Sequence, residues 1–480
     1  MLGRKVLGRR AITVFAGLGL TFSVQANGLP PEVIQALQAA QIPVQQVAVV
    51  VTPVAATSPL ISHRPQAVMN PASVMKLVTT FAALDLLGPA YTWKTTASST
   101  ASTVDGVLQG NLTLKGSGDP RFTQESLSHL LRRLRVRGIQ HIAGDIVLDR
   151  SLFQLPAHDP AAFDQQPMRP YNVGADALLL NFHTLRLTLE AQVGQPQLWL
   201  ETPLANISID NQLNSSDGPC PSDWKEPIQM RLLTDKSAAD TSRYRLILSG
   251  RYPLSCGEKT LNLAPFGPEA YADTLIRALW SELGGTFTGK VVSGTQAPGS
   301  QRLAVQESPQ LAEIVRDINK FSNNVMARQV FLALAGEESP RTLPAARQQL
   351  KAWLGLHGQR FPELEIDNGS GLSRQERISA DSLNRLLLRA WQSPVMPEFI
   401  ASLPIVGVDG TMKKRLKSAS VAGRAHIKTG SLEGVKTAAG YVLDQQGRRY
   451  AVTFFINHPR ASAGGAAIDA LLLWVAEQGK

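Results

Sequence analysis

Three short polar strings stand far apart along this 480-residue chain, and together they constrain its fold more than any other feature. In chain order they are Ser73-Val74-Met75-Lys76, Ser322-Asn323-Asn324 and Lys428-Thr429-Gly430. The first string contains a hydroxyl and an amine, the second contains a hydroxyl and an amide, and the third contains a cation and a hydroxyl. These groups can act on one substrate only if they share one pocket. Because 249 positions separate the first string from the second, distant parts of the chain must fold into the same domain.

The hydrophobic pattern predicts a regular element beside each string. Apolar residues at helical spacing follow Ser73, which is therefore predicted in the first turn of a helix, with Lys76 on the same face. Helical patterns on both sides of Ser322 predict a junction between two helices, and Lys428 is predicted on a sheet strand. Spacing also predicts helices over 31–42, 124–136, 310–318, 325–334, 380–391 and 466–476, and strands over 44–54, 425–428, 436–443 and 450–457.

Between residues 91 and 304 the pattern changes to short alternating segments broken by Gly, Asn, Asp and Ser. Such segments are typical of strands joined by turns. The simplest arrangement is one α/β domain of the α+β kind, made from both chain ends, with a β-rich block inserted between them. Insertions are tolerated where domain termini lie close together.

Two further matches show how little each string says alone. Ser222-Asp223-Trp224-Lys225 fits the first pattern, and Ser382-Leu383-Asn384 fits the second. The first lies in a turn-rich stretch without a helix start, so we interpret it as structural. In the second, Ser382 is expected to face solvent or to bond to the preceding helical turn.

Acyl transfer to serine assigns roles to the first two strings. Ser73 is the predicted nucleophile, and Lys76 can take its proton only as a neutral amine. Burial, a helix N-terminus and the charge of Lys428 should all lower the pKa of Lys76. Ser322 can relay a proton to the leaving amine, while Asn324 can hold a substrate amide through its paired donor and acceptor.

The third string suits the recognition of a substrate terminus. Lys428 and Thr429 are predicted to receive a terminal carboxylate, and Gly430 to let substrate backbone lie close to the strand. The backbone N–H groups of Ser73 and Ser431 are the candidate donors to a developing oxyanion. Taken alone, Lys428 could equally be a surface lysine, and Asn324 a helix cap.

Residues 1–26 are predicted to be a signal peptide. Four basic residues precede an apolar run over 11–24, and small residues near Ala26 suit cleavage, so the mature chain should begin at Asn27. A membrane anchor is the alternative, although the run is shorter than the roughly 20 residues that a spanning helix needs. We therefore expect export to the periplasm.

The net charge limits the classes of molecule that the protein is expected to bind. The net charge is +10, and removal of those four basic residues, with no acidic residue lost, leaves about +6. That excess suits an anionic polymer such as cell wall, or an anionic membrane surface. Nucleic acid is disfavoured because no dense Lys/Arg cluster with interleaved aromatic residues follows the signal. The sequence leaves open whether the protein binds a membrane peripherally or forms a homodimer.

Cys220 and Cys256 are the two cysteines of the chain. In an oxidising compartment an even pair is expected to form a disulfide rather than a metal site or a nucleophile, with two buried free thiols as the alternative. The eight histidines show no paired ligand spacing with carboxylates or cysteines. No metal and no cofactor is predicted.

Beyond the three strings, four segments carry a family resemblance: Gly116-Ser117-Gly118-Asp119-Pro120, Gly144-Asp145 with Asp149, the run from Asp367 to Arg374, and Val408-Asp409-Gly410-Thr411. With these, most of the mature chain resembles the low-molecular-mass class C penicillin-binding proteins, the D-Ala-D-Ala carboxypeptidase/endopeptidases of the DacB type. That group often has threonine where Ser431 stands here, a change that keeps the backbone donor. The 367–374 run is given no role.

The resemblance implies a serine β-lactamase/transpeptidase-like domain with a two-domain insertion. The implied boundaries are 27–90 and 305–480 for the catalytic domain, 91–118 and 191–304 for the first inserted domain, and 119–190 for a domain nested in it. It implies cleavage of D-Ala-D-Ala bonds and D-alanyl-diaminopimelate cross-links in peptidoglycan stem peptides through an acyl-enzyme on Ser73. It also implies covalent inhibition by β-lactam antibiotics.

Two other functions compete with this interpretation. A serine β-lactamase shares the three strings, but no Glu-x-x-x-Asn string lies between the second string and the third to activate a hydrolytic water. A non-catalytic wall-binding protein could keep the fold, yet intact Ser73, Lys76, Asn324 and Lys428 argue against it. The sequence does not say whether end-trimming or cross-link cleavage dominates.

Overall fold

The computed structural model describes residues 28–235, 243–336 and 339–478. The predicted signal peptide, residues 1–26, lies outside the described residues. The helices run over Pro31–Ala39 (α1), Met75–Leu87 (α2), Gln124–Val136 (α3), Pro268–Glu282 (α4), Leu311–Phe321 (α5), Asn324–Ala333 (α6), Leu343–Leu356 (α7), Ala380–Trp391 (α8), Met396–Ser402 (α9) and Gly465–Ala476 (α10).

The strands are short in the middle of the chain and longer near its end. They run over Val47–Pro53 (β1), Ile61–His63 (β2), Val68–Met69 (β3), Lys94–Ser99 (β4), Thr103–Val104 (β5), Val107–Leu108 (β6), Leu112–Lys115 (β7), His141–Ile142 (β8), Ile146–Asp149 (β9), Leu185–Glu190 (β10), Gln197–Leu200 (β11), Ile207–Ser216 (β12), Ile228–Asp235 (β13), Arg243–Pro253 (β14), Glu258–Leu263 (β15), Thr286–Phe287 (β16), Val291–Gly294 (β17), Gln301–Glu307 (β18), Ile378–Ser379 (β19), Ala425–Leu432 (β20), Val435–Leu443 (β21) and Arg449–Asn457 (β22).

One sheet joins the two ends of the chain. Its order is β2-β1-β22-β21-β20, and every neighbouring pair is antiparallel. Val49 on β1 pairs with Phe454 on β22, so the N-terminal strand lies beside one formed about 400 residues later. This confirms the predicted fold class, an α/β domain with an antiparallel sheet flanked by helices.

The valine-rich strand β1 shows why the sheet lies at the centre of this domain. Val47, Val49 and Val51 face a core with α1 and α10, whereas Ala48 and Val50 face a second core with α2, α5, α6, α7 and α8. Successive side chains of a strand point to opposite faces, so a continuous apolar run is what a strand covered on both faces requires.

The block between α2 and α5 forms separate sheets, of orders β17-β9-β7-β4-β18, β16-β8-β6-β5, β11-β10-β15 and β12-β14-β13. These pairings cross the predicted internal boundaries. Ile146 on β9 pairs with Leu112 on β7, and Leu187 on β10 pairs with Leu261 on β15. The division at 118 and 190 therefore stays a prediction that the strand pairing does not follow. The predicted cysteine pair, Cys220 and Cys256, is joined by a disulfide beside β14.

Helix α6 connects the insertion to the catalytic domain. The fully buried Gln329 side chain accepts from Asp176 N at 3.0 Å and donates to Asp176 O at 2.7 Å. The preceding residue, Arg328, donates to the carbonyls of Tyr171 and Val173. Buried polar groups need such partners, so these hydrogen bonds fix α6 to the 171–176 loop of the insertion.

The second match to Ser-x-Asn is structural. Ser382 is buried rather than facing solvent, because the N-terminus of α8, capped by Ser379, packs inward. Asn384 accepts from Thr52 Oγ1 at 2.8 Å and donates to the carbonyls of Val50 and Ala451. It therefore bonds α8 to the central sheet. No helix within the described ranges is long and apolar enough to cross a membrane.

Candidate active site

The turn that carries Ser73 has an unusual backbone. Ala72, fully buried, has a φ of +46°, in the left-handed region that costs a non-glycine residue about 1 kcal/mol. Asn70 holds this conformation by accepting from Ala72 N at 2.8 Å. Ser73 then lies in a 3-10 turn just before α2, so the serine precedes the helix that was predicted to contain it. Lys76 lies in the first turn of α2.

Lys76 lies at the centre of the polar groups. Its Nζ is 3.0 Å from Ser73 Oγ and 2.6 Å from Asn324 Oδ1, and it also donates to the carbonyl of Ser370. A neutral amine has two N–H donors and one lone pair. If Asn324 and Ser370 accept those two donors, the lone pair faces the Ser73 hydroxyl, which is the orientation a base needs.

The surroundings of Lys76 favour the neutral amine. Burial lowers the pKa of Lys76 well below its usual value, and the positive charges of Lys428 and Arg328 lower it further. The carboxyl of Glu376 acts in the opposite direction and raises the pKa of Lys76. Desolvation dominates because a side chain with no exposed surface loses the water that stabilises an ammonium ion.

Ser322 and Lys428 form the second polar pair. Ser322 ends α5 with a φ of +57°, and this left-handed residue turns the chain into α6, whose N-cap is Asn323. Lys428 Nζ donates to Ser322 Oγ at 2.8 Å and to the carbonyl of Thr429 at 2.7 Å. Burial lowers the pKa of Lys428 to about 7. Because Lys76 bonds to Asn324 and Lys428 bonds to Ser322, two residues earlier, the three strings meet in one pocket.

The third string lies on β20, an edge strand of the central sheet. A Cβ added at Gly430 would lie 2.8 Å from Ser73 N and 2.3 Å from Thr437 Oγ1. The close approach that requires glycine here is therefore to the protein's own nucleophile turn. Thr429 Oγ1 lies 3.0 Å from Thr411 Oγ1. Ser431 is exposed at the strand end, and the two backbone donors to an oxyanion remain a prediction.

The segment from Val408 to Thr411 contacts both the C-terminal end of α5 and strand β20. Asp409 accepts from Lys320 Nζ at 2.7 and 2.9 Å and from Ile405 N at 2.8 Å. A Cβ at Gly410 would lie 2.6 Å from the Lys320 carbonyl. The segment thereby fixes the C-terminal turn of α5, which presents Ser322.

Sequence reasoning gave no role to the 367–374 segment, yet this loop borders the site. The Ser370 carbonyl accepts from Lys76, and the Gly369 carbonyl accepts from Thr79 Oγ1 at 2.7 Å. Gly371 packs against the nucleophile turn so closely that an added Cβ would lie 2.1 Å from Ala72 O. The high content of glycine and short polar residues was the available signal, since such loops allow close backbone approach.

A cleft of about 700 Å³ opens beside Ser322 and Asn324. Its opposite wall belongs to the insertion and includes Arg169, Tyr171 and Lys225. Burial, with the nearby charge of Arg169, lowers the pKa of Lys225. Two neighbouring cations therefore face the same space. In the described ranges no group of three or more His, Cys, Asp or Glu side chains is arranged to hold a metal ion.

These contacts define what the pocket can do chemically. A hydroxyl lies against a buried amine with a depressed pKa, and a second lysine–serine pair borders it. Together they suit nucleophilic attack by Ser73 with proton transfer through lysine. The roles of the individual residues in such a reaction stay predictions.

Comparison with known proteins agrees with this chemistry. Residues 31–478 match the D-Ala-D-Ala carboxypeptidase 3 (S13) family. The chain is 28% identical to the D-alanyl-D-alanine carboxypeptidase DacB of Haemophilus influenzae over 398 residues, which cover 81% of this chain and 80% of that relative. It is 26% identical to the D-alanyl-D-alanine carboxypeptidase of Actinomadura sp. over 426 residues, covering 85% and 77%.

The fold is similar as well. The crystal structure of penicillin binding protein 4 (dacB) from Haemophilus influenzae superposes with a TM-score of 0.75 at 25% identity, over 93% of this chain and 99% of that one. The resemblance inferred from the sequence is thus confirmed. The chain belongs to the D-Ala-D-Ala carboxypeptidase 3 (S13) family of serine-type peptidases.

Proposed function

We propose that this protein hydrolyses the D-Ala-D-Ala bond of peptidoglycan stem peptides through an acyl-enzyme on Ser73, cleaves D-alanyl-diaminopimelate cross-links, and is inhibited by β-lactams. The observation that carries the proposal is the contact between Lys76 Nζ and Ser73 Oγ at 3.0 Å, inside a pocket that also contains Ser322 and Lys428. Family membership supports the carboxypeptidase reaction.

In the acylation step Lys76 takes the hydroxyl proton as Ser73 Oγ bonds to the carbonyl carbon of the penultimate D-alanine. Negative charge develops on the carbonyl oxygen, where the N–H groups of Ser73 and Ser431 can stabilise it. The C–N bond then breaks, and the leaving amine takes a proton relayed through Ser322. Water attacks the ester, a proton returns to Ser73 Oγ, and the shortened peptide leaves.

Recognition of the departing D-alanine depends on the charge of Lys428. A terminal carboxylate beside this buried ammonium forms a charge-assisted hydrogen bond, which is stronger than a neutral one. Thr429, held by its contact with Thr411, can donate a second hydrogen bond to the same carboxylate. The substrate thereby supplies the negative charge that this part of the pocket lacks.

The cleft beside Ser322 supports the endopeptidase activity. A cross-linked substrate has a second peptide where a pentapeptide has only a terminal D-alanine, so it needs room beyond the catalytic groups. The cleft provides about 700 Å³ next to Ser322 and Asn324. Arg169 and Lys225 on its far wall suit the carboxylates of a second stem peptide.

Covalent inhibition by β-lactams follows from the same attack. A β-lactam presents an amide carbonyl and, in penicillins, a carboxylate, so Ser73 and Lys428 meet the groups that a D-Ala-D-Ala terminus offers. A relative with a similar fold is named a penicillin binding protein, which supports the assignment. A peptidoglycan substrate implies a periplasmic protein, and residues 1–26 are the proposed export signal.

The deciding experiment follows labelling by a fluorescent penicillin and the products formed from defined muropeptides. Wild-type protein should be labelled, release D-alanine from a pentapeptide and cut a cross-linked dimer. Ser73→Ala should lose all three activities with an unchanged circular dichroism spectrum. Ser222→Ala, at the exposed copy of the Ser-x-x-Lys pattern, is the matched control and should behave like wild type. Normal turnover by Ser73→Ala would refute the proposal.

A further inference from the structure

Glu376 is a fully buried carboxyl that the catalytic cycle described above does not use. It follows the 367–374 loop and precedes β19. Its Oε1 accepts from the backbone N–H groups of Asn368 and Gly369 at 3.2 and 3.1 Å. Its Oε2 is buried without a hydrogen-bond partner among the described residues. A buried carboxylate oxygen without a partner costs free energy, so it needs an explanation.

The loop segment that bonds to Glu376 also bonds to Lys76, the proposed base. The N–H groups of Asn368 and Gly369 donate to the carboxylate, and the next residue, Ser370, presents its carbonyl to Lys76 Nζ. The Gly369 carbonyl accepts from Thr79 Oγ1, one turn further along α2. A short loop is therefore fixed on one side by Glu376 and on the other by α2.

Charge connects the same residues. The charged groups that act on Lys76 are Lys428 on β20, Arg328 on α6 and Glu376, and among them the carboxyl alone favours the ammonium form. Glu376 in turn interacts with Lys76, with Asp367 and with Arg328. Burial, with a smaller contribution from Asp367, raises the pKa of Glu376 to about 7.

We propose that Glu376 is a positioning residue for the reaction on Ser73: it holds the 367–371 backbone against Lys76 and supplies the countercharge that sets the pH at which Lys76 becomes a neutral base. The inference rests on the proposed function, since it concerns the same nucleophile and base. The carboxylate acts through Lys76 and the loop, and it does not touch substrate.

The sign of the effect follows from electrostatics. An anionic Glu376 stabilises protonated Lys76, so more alkaline solution is needed to remove the proton. Without that charge, Lys76 should lose its proton at lower pH, and the acidic limb of acylation should move to lower pH. Because the charge of each group acts on the pKa of the other, the wild-type limb reports both groups.

The test is the pH profile of acylation by a fluorescent penicillin, measured on the full chain from about pH 5 to about pH 9. Glu376→Gln keeps the shape and one acceptor oxygen for the two amides but removes the charge. Its acidic limb should shift down by about one pH unit. At a pH one unit below the midpoint of the wild-type limb, the acylation rate divided by the plateau rate should then be about five times larger for Glu376→Gln than for wild type. Glu376→Ala also loses the anchor, so its plateau rate should fall about tenfold.

Glu363→Gln is the matched control. Glu363 also accepts a backbone N–H, that of Ser379 at 3.1 Å, but Ser379 is the N-cap of α8 and lies outside the 367–371 loop that contacts Lys76. Its profile should match wild type. Asp367→Asn removes the carboxyl that disfavours the Glu376 anion, so its limb should shift towards higher pH. This half-buried position provides a second readout if Glu376→Gln fails to fold.

A Glu376→Gln profile that superimposes on the wild-type profile would overturn the inference. So would an equal shift in Glu363→Gln. Failure of the proposed function looks different, because wild-type protein would then not be acylated, or Ser73→Ala would still be.

Discussion

Gly371→Ala is a severe test of how the nucleophile is positioned. Gly371 has a φ of +79°, and a Cβ at this position would lie 2.1 Å from Ala72 O and 2.8 Å from Ser73 Cα. Both contacts are with backbone, so no flexible side chain can move aside. Non-bonded carbon contacts are optimal at about 3.5–4.0 Å, and the loop and the nucleophile turn must therefore separate by about 1 Å.

The expected cost has two parts. The left-handed conformation costs alanine about 1 kcal/mol, and overpacking of a filled site costs about 1–3 kcal/mol more. We expect Gly371→Ala to lower the free energy of unfolding by about 3 kcal/mol. A shift of about 1 Å in a catalytic group can cost 100-fold in rate, so acylation should slow by about that factor. The loss follows from the 3.0 Å contact between Ser73 Oγ and Lys76 Nζ, which depends on the displaced turn.

Gly423→Ala is the matched control, because Gly423 has a φ of +74° with nothing within 4 Å of the added Cβ. It should lose only about 1 kcal/mol, with unchanged acylation. The measurements are urea unfolding and the second-order rate of labelling by a fluorescent penicillin. If the two variants lose equal stability and Gly371→Ala is acylated at the wild-type rate, the packing of this loop against Ser73 does not position the nucleophile.

Three further predictions separate catalytic from structural roles. Asn324→Ala should abolish turnover with little loss of stability. Asn384→Ala should lose three buried hydrogen bonds, which lowers the free energy of unfolding by about 2–3 kcal/mol, while the protein is still acylated. Urea unfolding measures the stability of both variants, and penicillin labelling measures their acylation. Because the pKa of Lys428 is lowered to about 7, its charge declines above that pH, so the KM for a peptide ending in a carboxylate should rise about fivefold from pH 7 to pH 8, and the KM for the corresponding amide should not. Replacing Cys220 and Cys256 by serine opens a loop with a sequence separation of 36 and should lower the free energy of unfolding by up to about 4 kcal/mol, as measured by urea unfolding.

Local patterns in the sequence predicted much of this fold because they report local physics. The bounds predicted for α3 and α8, 124–136 and 380–391, are those of the structure. The junction at Ser322 was visible because helical spacing stops on one side and resumes on the other. Ser73 falls just outside α2 because Ala72 adopts a left-handed conformation, which no pattern of apolar residues signals.

Contacts made by backbone atoms could not be predicted in the same way. The Ser370 carbonyl holds Lys76 through a peptide group that every residue carries, so the residue type gives no signal. The approach of substrate to Gly430 stays a prediction. The structure adds a second reason for glycine that the sequence could not show, because an added Cβ would meet Ser73 N across a gap of 357 positions.

The charges in the pocket explain why substrate and base act together. Lys76, Lys428 and Arg328 are all buried, and each has a pKa lowered by burial. The carboxyl of Glu376 raises the pKa of Lys76 and, together with Asp367, that of Arg328, and burial raises the pKa of Glu376 itself to about 7. Burial in this pocket therefore favours the neutral forms of these groups, so the lysines lose their protons more readily and the carboxyl keeps its proton. A substrate carboxylate beside Lys428 restores the charge of that lysine, and the restored charge then disfavours protonated Lys76. Binding the correct terminus should thus place the proton on Lys428 and keep the base at Ser73 neutral.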